Sequence, residues 1–424
     1  MLLLVGTGPR EYREALLRSL AGQRLWLLTD RAPSWQLPYL AGHTVVPALN
    51  AARVSTKLDF LTSVVDGLAE EHGVRGVLTF EEMFLSAASR LADRLGLPSL
   101  GEGVAENCRD KRRTRQLLTA AGVRQPGYGS AATPEEAAGL AERFGYPVVV
   151  KPRGLAGSIG VVLVRSAEEL TQAFRTAASA SRTGARHHGD VVLVEEFLDG
   201  PEVSVDSAVV DGRLEPLYVV LKRFGPAPYF EETGQTVHAD DPLLDDEELI
   251  GTVREAVAAL GLRNAMTHTE IKLTSRGPVI VEVNGRLAGD FIPHIAKLAT
   301  GLDGAAIAAA LACGEPPDLR RTEHRSAAHQ LLYADRDGTV DSVTLPAPGS
   351  LPRLVDSGPL LAPGTRVAVP PRGYMARCGY VIVAAPDRGS CDAALAEAVG
   401  AMSARITPAG AGAAGITAAA RGGA

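Results

Sequence analysis

Along the first hundred residues, short unbroken apolar runs alternate with stretches in which apolar residues recur every three or four positions. "LLLVGTG", "RLWLLTD" and "GVLTF" have the content of buried strands, whereas "REYREALLRSLA", "TSVVDGLAEEHG" and "FLSAASRLADRLG" have helical spacing. This βαβ rhythm predicts a parallel sheet covered by helices over residues 1–105. From Asn107 the pattern changes. A basic helix, "DKRRTRQLLTAAG", leads into strand, glycine-rich loop and strand, "YPVVVKPRGLAGSIGVVLV". A helix "SAEELTQAFRTAASA" and a strand "DVVLVEEFL" follow, and "EVSVDSAVVDGRLEPLYVVLKRF" predicts a hairpin turning at Asp211-Gly212. The next stretch, "GPAPYFEETGQTVHADDPL", is polar and reads as a loop. A helix from Asp245 to Leu260, a hairpin "HTEIKLTSRGPVIVEVN" and a helix "FIPHIAKLATG" complete a second domain at 106–325. Further β-like runs and the helix "CDAALAEAVGAMSARI" predict a smaller C-terminal α/β domain at 326–406, and the Gly/Ala/Pro-rich tail at 407–424 is expected to be disordered. The fold class is thus α/β and α+β.

Composition narrows the function classes. A net charge of −6 argues against a nucleic-acid partner, whose phosphates call for a basic face. No apolar run approaches the ~18 residues that span a bilayer, so no membrane segment is expected. The opening "MLLLVGTG" lacks a basic leader and reads as a strand rather than a signal peptide. Cys108, Cys313, Cys378 and Cys391 are scattered without CxxC spacing, which fits neither a zinc site nor a disulfide framework and suggests a cytoplasmic setting. Of 43 basic residues only six are lysines: Lys57, Lys111, Lys151, Lys222, Lys272 and Lys297. A lysine retained against such an arginine bias is either a chance survivor or a place where a compact ammonium is needed, and the short list directs attention to Lys111 and Lys151. The turn Gly6-Thr7-Gly8-Pro9 invites a dinucleotide-binding reading, but the third glycine of GxGxxG would fall on Glu11, and the motif fails.

Two features carry chemistry. In "VVVKPRGLAGSIGVVLV" a buried strand delivers Lys151 to a loop punctuated by Gly154, Gly157 and Gly160. Glycines let backbone N–H groups approach negative charge closely, and no G-K-[ST] follows, so the loop is not a Walker A motif. A flexible hairpin with a solvated lysine is the plain alternative. In the hairpin at 268–284, odd positions are apolar (Ile271, Leu273, Val279, Val281, Val283), and His268, Glu270, Lys272, Glu282 and Asn284 occupy even ones. A five-residue loop, Thr274 to Pro278, would pair Leu273 with Val279 and set Glu270 opposite Glu282 and His268 opposite Asn284. Opposed side chains have Cβ atoms roughly 4.5–5.5 Å apart. Two carboxylates with an amide oxygen beside them suit Mg²⁺, which is commonly shared between carboxylates and substrate phosphates. The alternative is a solvated face on which Lys272 relieves the repulsion. A third element, "VLVEEFLDGPEVSVD", offers backbone groups of Glu196 to Leu198 to an adenine ring and a carboxylate to a ribose.

The order of these elements resembles the ATP-grasp enzymes over nearly the whole chain. The resemblance implies a Rossmann-like N-terminal domain, a two-part ATP-grasp domain whose lid lies at about 125–195, and a β-rich C-terminal domain. It makes Lys111 and Lys151 nucleotide-contacting lysines and residues 153–160, with Gly157 and Ser158, the phosphate-covering loop. It assigns Glu195, Glu196, Phe197 and Leu198 to the adenine segment, Glu202 to the ribose and Lys222 to the neighbourhood of the phosphates. Glu270, Glu282 and Asn284 match the metal ligands. "HTEIKL" followed by "VEVNGRLAGDFIPHIAKLATG" is similar to the L-amino-acid ligase branch. There Arg286 matches an arginine that contacts the activated intermediate.

The implied activity is ATP-dependent joining of a carboxylate to an amine through an acyl phosphate, with ATP and Mg²⁺ (or Mn²⁺) as cofactors. Small-molecule acid and amine substrates, amino acids or amino-acid-like molecules, are then the expected partners, and since dimers are common in the superfamily a homodimer is one expectation. Lys151 and Arg286 would stabilise transferring charge, and His238, His268 and Glu231 are candidate bases for the amine. Two other readings of the same fold are a bicarbonate-using carboxylase and a non-catalytic nucleotide-binding protein. The stretch GRLAGD favours the ligase, and Glu270, Glu282 and Lys151 count against loss of catalysis.

Overall fold

A computed structural model describes residues 1–408 apart from 48, 50 and 185–188, with backbone alone for 51–60 and 184. The tail from 409, expected to be disordered, lies outside the described residues, whereas Thr407 and Pro408 close the last strand.

Strands β1 (Leu2–Val5), β2 (Leu25–Thr29), β3 (Gly42–Val45) and β4 (Gly76–Leu78) form a parallel sheet in the order β3-β2-β1-β4. Helix α1 (Arg10–Ser19) links β1 to β2, α2 (Ala51–His72) links β3 to β4, and α3 (Leu85–Arg94) follows β4. Because β1 is covered on both sides, it is apolar at every position. Leu2 and Leu4 enter one core with Leu16 and Leu17 of α1, and Leu3 and Val5 enter another with Ala88 and Leu91 of α3.

Helices α4 (Val104–Arg109) and α5 (Lys111–Ala120) follow, separated by Asp110, whose carboxylate accepts from the Arg112 N–H and caps α5. The segment expected to form the lid is an antiparallel sheet of β5 (Tyr128–Ala131), β6 (Val148–Pro152), β7 (Val162–Val164) and β8 (Val192–Glu196), ordered β5-β8-β6-β7. It is backed by α6 (Pro134–Phe144) and α7 (Ala167–Gly184), with a core of Val148, Val150, Val192 and Val194 against Ala137, Ala141, Phe174 and Ala177.

The central sheet holds β9 (Glu202–Val210), β10 (Arg213–Phe224), β11 (Glu232–His238), β12 (Ala265–Thr274) and β13 (Gly277–Asn284), with α8 (Glu247–Leu260) between β11 and β12. After α9 (Ile292–Thr300) and α10 (Gly304–Ala312) come β14 (Ser326–Tyr333), β15 (Gly338–Thr344), β16 (Leu354–Pro359), β17 (Arg366–Val367), β18 (Arg377–Ala385), α11 (Arg388–Gly400) and β19 (Ser403–Pro408). Eight strands share one sheet, β13-β12-β9-β10-β11-β14-β18-β16, and β17-β15-β19 make a small second one.

Two features depart from the sequence pattern. The polar stretch read as a loop contains β11, which lies inside the central sheet between β10 and β14. Its Gln235 and Thr236 are buried because polar partners wait for them, so the strand shows no apolar alternation. The strands beyond 326 also do not stand apart: β14 pairs with β11, so the C-terminal segment continues the central sheet.

The two faces of that sheet differ. Val203, Val205, Val219, Ile271, Ile280 and Val283 pack on Leu249, Val253 and Val257 of α8. On the opposite face, Ala208, Tyr218, Val220 and Val237 pack on Ile292, Ile295 and Ala299 of α9. Nearer the lid this second face becomes polar, with Glu202, Lys222, Gln235 and Glu270 in place of the aliphatic residues, and there the cleft opens.

Candidate active site

The hairpin β12–β13 is built differently from expectation yet reaches the same pairing. The turn has two residues, Ser275-Arg276, between paired Thr274 and Gly277, not five. Pairing runs to Ile271 opposite Ile280, and there one extra residue of β13, Val281, forms a bulge. Beyond it Glu270 faces Glu282 and His268 faces Asn284. All four belong to the cleft side.

Positive groups answer these carboxylates. Lys222, with no exposed side-chain surface, places Nζ 2.9 Å from Glu270, 3.0 Å from Glu232 and 3.6 Å from Glu202. Burial alone would lower its pKa, but Glu232, Glu270 and Glu202 together raise it well above the ordinary lysine value. His268 Nδ1 lies 2.5 Å from Asp206 and its Nε2 3.3 Å from Glu270. Burial would lower its pKa too, but Asp206 and Glu270 push it up to about 9. Burial would raise Glu270, and Lys222 and His268 instead hold it well below the usual carboxylate range. Glu202 is pushed up to about 7, by burial first and then by Glu270 and Glu232 against the pull of Lys222.

A second charge cluster joins the lid to the core. Lys151 Nζ is 2.6 Å from Glu195, and Arg115 donates to the same carboxylate at 2.8 and 3.2 Å. Burial would raise Glu195, but the two cations hold it at about 2. Burial lowers Lys151, helped by Arg115 and Lys111 and opposed by Glu195. One carboxylate thus serves two cations, and the surplus positive charge lies at the cleft wall, where an anion would relieve it. Lys111 Nζ donates to Leu155 O at 2.7 Å and to Glu282 at 3.1 Å, tying the glycine loop to the hairpin. In that loop Gly157 (φ 68°), Ser158 (φ 55°) and Gly160 (φ 76°) are left-handed, and the non-glycine Ser158 in that region marks local strain. Arg286 lines the inner end of the cleft; its Nε donates to Glu82 at 2.7 Å, which anchors it to the N-terminal domain.

The cleft encloses about 920 Å³ including its open mouth. Lys111, Lys151, Gly157, Ser158, Glu195, Glu196, Phe197, Leu198, Glu202, Glu270, Glu282, Asn284 and Arg286 all line it.

Residues 144–294 match the family described as ATP-grasp domain, residues 21–99 the ATP-grasp N-terminal domain, and residues 330–407 the L-amino acid ligase C-terminal domain 2. The chain is 33% identical over 413 residues to uncharacterized protein y4rH of Sinorhizobium fredii, an alignment covering 95% of this chain and 81% of that one. The chain belongs to the ATP-grasp proteins and carries an L-amino acid ligase C-terminal domain. It is also 32% identical over 274 residues to an alanine–anticapsin ligase of Bacillus subtilis, covering 59% of this chain and 57% of that ligase, so a little over half of the characterised relative is matched. The fold is that of the L-amino acid ligase from Bacillus licheniformis, with a TM-score of 0.78, 21% identity, and coverage of 96% and 98% of the two chains.

For an ATP-grasp protein the donor set of the hairpin fits a hard divalent cation. Glu270 receives Lys222 and His268 on Oε1, and Glu282 receives Lys111 on Oε1, so each carboxylate keeps an oxygen directed elsewhere. Asn284 adds an amide oxygen on the same face.

His238 and Lys222 are not brought to the cleft wall. His238 stands on the opposite face of the sheet, because Gln235 pairs with Lys222 and three residues further along the side chain points the other way. Its Nδ1 bonds Ser326 Oγ at 2.8 Å and burial lowers its pKa, so it has no path to a substrate amine in the cleft. Lys222 lies beneath Glu202, Glu232 and Glu270 rather than at the cleft surface, where it is a counter-ion to these carboxylates. Of the other bases considered, His268 is held as a cation, and Glu231 accepts from the Met375 N–H at 2.7 Å.

Sequence reasoning also missed the parts played by three residues. Arg115 was hidden in a helix that reads as basic and solvated, although it lies one turn from Lys111 on the same face. Glu232 was placed in a loop, and Asp206 was one polar residue within a predicted strand.

Proposed function

We propose that this chain joins a carboxylate to an amine at the expense of ATP, with amino acids or amino-acid-like molecules as substrates. The observation that carries the reading is the placement of Glu270, Glu282 and Asn284 on one cleft face across from Lys151 and the left-handed loop. In the reaction a substrate carboxylate oxygen bonds to the γ-phosphorus and ADP leaves. A neutral amine then bonds to the acyl carbon of the resulting acyl phosphate, inorganic phosphate leaves, and the amine gives up a proton. Negative charge on the transferring group meets Lys151, which shares Glu195 with the buried Arg115, from one side and Arg286 from the other. Held by Glu270, Glu282 and Asn284, Mg²⁺ or Mn²⁺ would supply further neutralisation of phosphate charge. The glycine loop, tied to Lys111 through Leu155 O, covers the site against water that would hydrolyse an acyl phosphate.

The test is phosphate release dependent on ATP and Mg²⁺, across single amino acids, pairs of them, and bicarbonate. Release that needs two amino acids together is the expected result and names both substrates. Release with bicarbonate alone would replace the ligase by a carboxylase.

Lys151→Ala isolates the phosphate contact. Glu195 keeps Arg115 as partner, so the fold is expected to survive, while ATP affinity falls about tenfold or more, the worth of one charged hydrogen bond. Unchanged affinity by calorimetry would remove Lys151 from the nucleotide site.

A further inference from the structure

Glu282 faces Glu270 because β13 carries one extra residue. From the turn outward, Thr274 pairs with Gly277 and Ile271 with Ile280. Continued unbroken, this register would set Glu270 against Val281 and Glu282 against Thr269. Glu282 would then share the face of Ile271 and Ile280, which packs on α8, and its carboxylate would be driven into an aliphatic core. The bulge at Val281 shifts the strand by one position and turns Glu282 and Asn284 to the cleft.

A bulge needs support, and β13 is an edge strand whose outward carbonyls have no neighbouring strand. Arg115 supplies partners for both carbonyls at the bulge. Its Nη1 donates to Ile280 O at 3.3 Å and its Nη2 to Val281 O at 2.7 Å. The rest of the guanidinium grips Glu195, which also holds Lys151. At 1% exposure Arg115 is anchored on every side. A planar fork can serve these acceptors at once, and an ammonium cannot.

We infer that Arg115 is the positioning residue that fixes the Val281 bulge, and thereby holds Glu270 and Glu282 in metal-binding register while linking them through Glu195 to Lys151. This rests on the reading of Glu270, Glu282 and Asn284 as metal ligands. Arg115 acts through backbone carbonyls and Glu195, so its loss changes how well the metal is held before it changes any contact with the nucleotide.

The full chain carrying Arg115→Lys, and separately Arg115→Met, is compared with wild type. ADP affinity is measured by calorimetry in EDTA and in excess Mg²⁺, and amide hydrogen exchange is followed over residues 277–284. For Arg115→Lys the affinity gained from Mg²⁺ should fall about tenfold, with ADP affinity in EDTA within about threefold of wild type, as expected for loss of an outer support of a metal site. Exchange over 279–284 should accelerate. Equal loss with and without Mg²⁺ would show Arg115 acting through Glu195 and Lys151 alone, and unchanged exchange would show that the bulge stands without it; either result overturns the inference. A wild-type chain that binds no nucleotide would sink the ligase reading, and the exchange comparison would still decide for or against Arg115. Should Arg115→Met unfold, the milder lysine variant carries the decision.

Discussion

Glu282→Gln should lower ATP-dependent turnover roughly 10²–10³-fold, the range for removing one preorganised group that stabilises developing charge. The substitution keeps size and hydrogen bonding, so Lys111, 3.1 Å from Oε1, retains an acceptor and the tie between α5 and β13 persists. What disappears is one of two negative charges facing the same point of the cleft. The loss should therefore concentrate in Mg²⁺ dependence, with a higher metal concentration needed for half-maximal rate, and circular dichroism should match wild type. Turnover near the wild-type value would take Glu282 out of the metal site and with it the proposed chemistry.

Lys222→Met should destabilise the chain by roughly 3–5 kcal/mol, the cost of removing one member of a buried ion cluster and leaving the others uncompensated. Methionine fills the same volume, so packing against Val220 and Gln235 is not the cause. Three carboxylates, Glu202, Glu232 and Glu270, would remain around a vanished cation, and each would tend to take up a proton. The destabilisation should consequently shrink as the pH is lowered, since protonated carboxyls no longer repel. The denaturation midpoint of the variant reports the effect. Adding Glu270→Gln to Lys222→Met should restore part of the loss. Equal midpoints for wild type and Lys222→Met would mean that the carboxylates do not depend on this lysine.

How far the sequence could be read depended on whether local pattern or distant partners decided each element. The parallel N-terminal sheet was legible because strands buried on both faces are apolar throughout, as in Leu2–Val5. The pairing of Glu270 with Glu282 was also legible, although for an incomplete reason. Alternating polarity demanded that the two share a face, and a five-residue loop satisfied the demand as well on paper as the actual two-residue turn plus bulge. Strand β11 was not legible. Its buried residues are polar because Arg223 of β10 bonds Thr236 and the Gln235 carbonyl, and Glu232 at the cleft accepts from Gln235. Arg115 went unnoticed for a related cause: its acceptors, Glu195 and the carbonyls of Ile280 and Val281, are 80 to 166 residues away. His238 was misjudged since its face of the sheet follows from β11 being a strand at all.

The eight-stranded ladder restricts how this protein can be cut. Severing the chain near residue 325, where composition suggests a joint, would strip β14 from β11 and leave a seven-residue strand presenting unpaired N–H and C=O groups. Raw edges of that kind recruit other chains, so the shortened product would be prone to aggregate before its cleft could be assayed. Glu232, a partner of Lys222, lies on that same strand, with its carbonyl bonded by Tyr333 of β14. The segment after 325 is thus a wall of the cleft's own foundation, and a fragment lacking it would report on a damaged sheet rather than on an isolated nucleotide-binding unit.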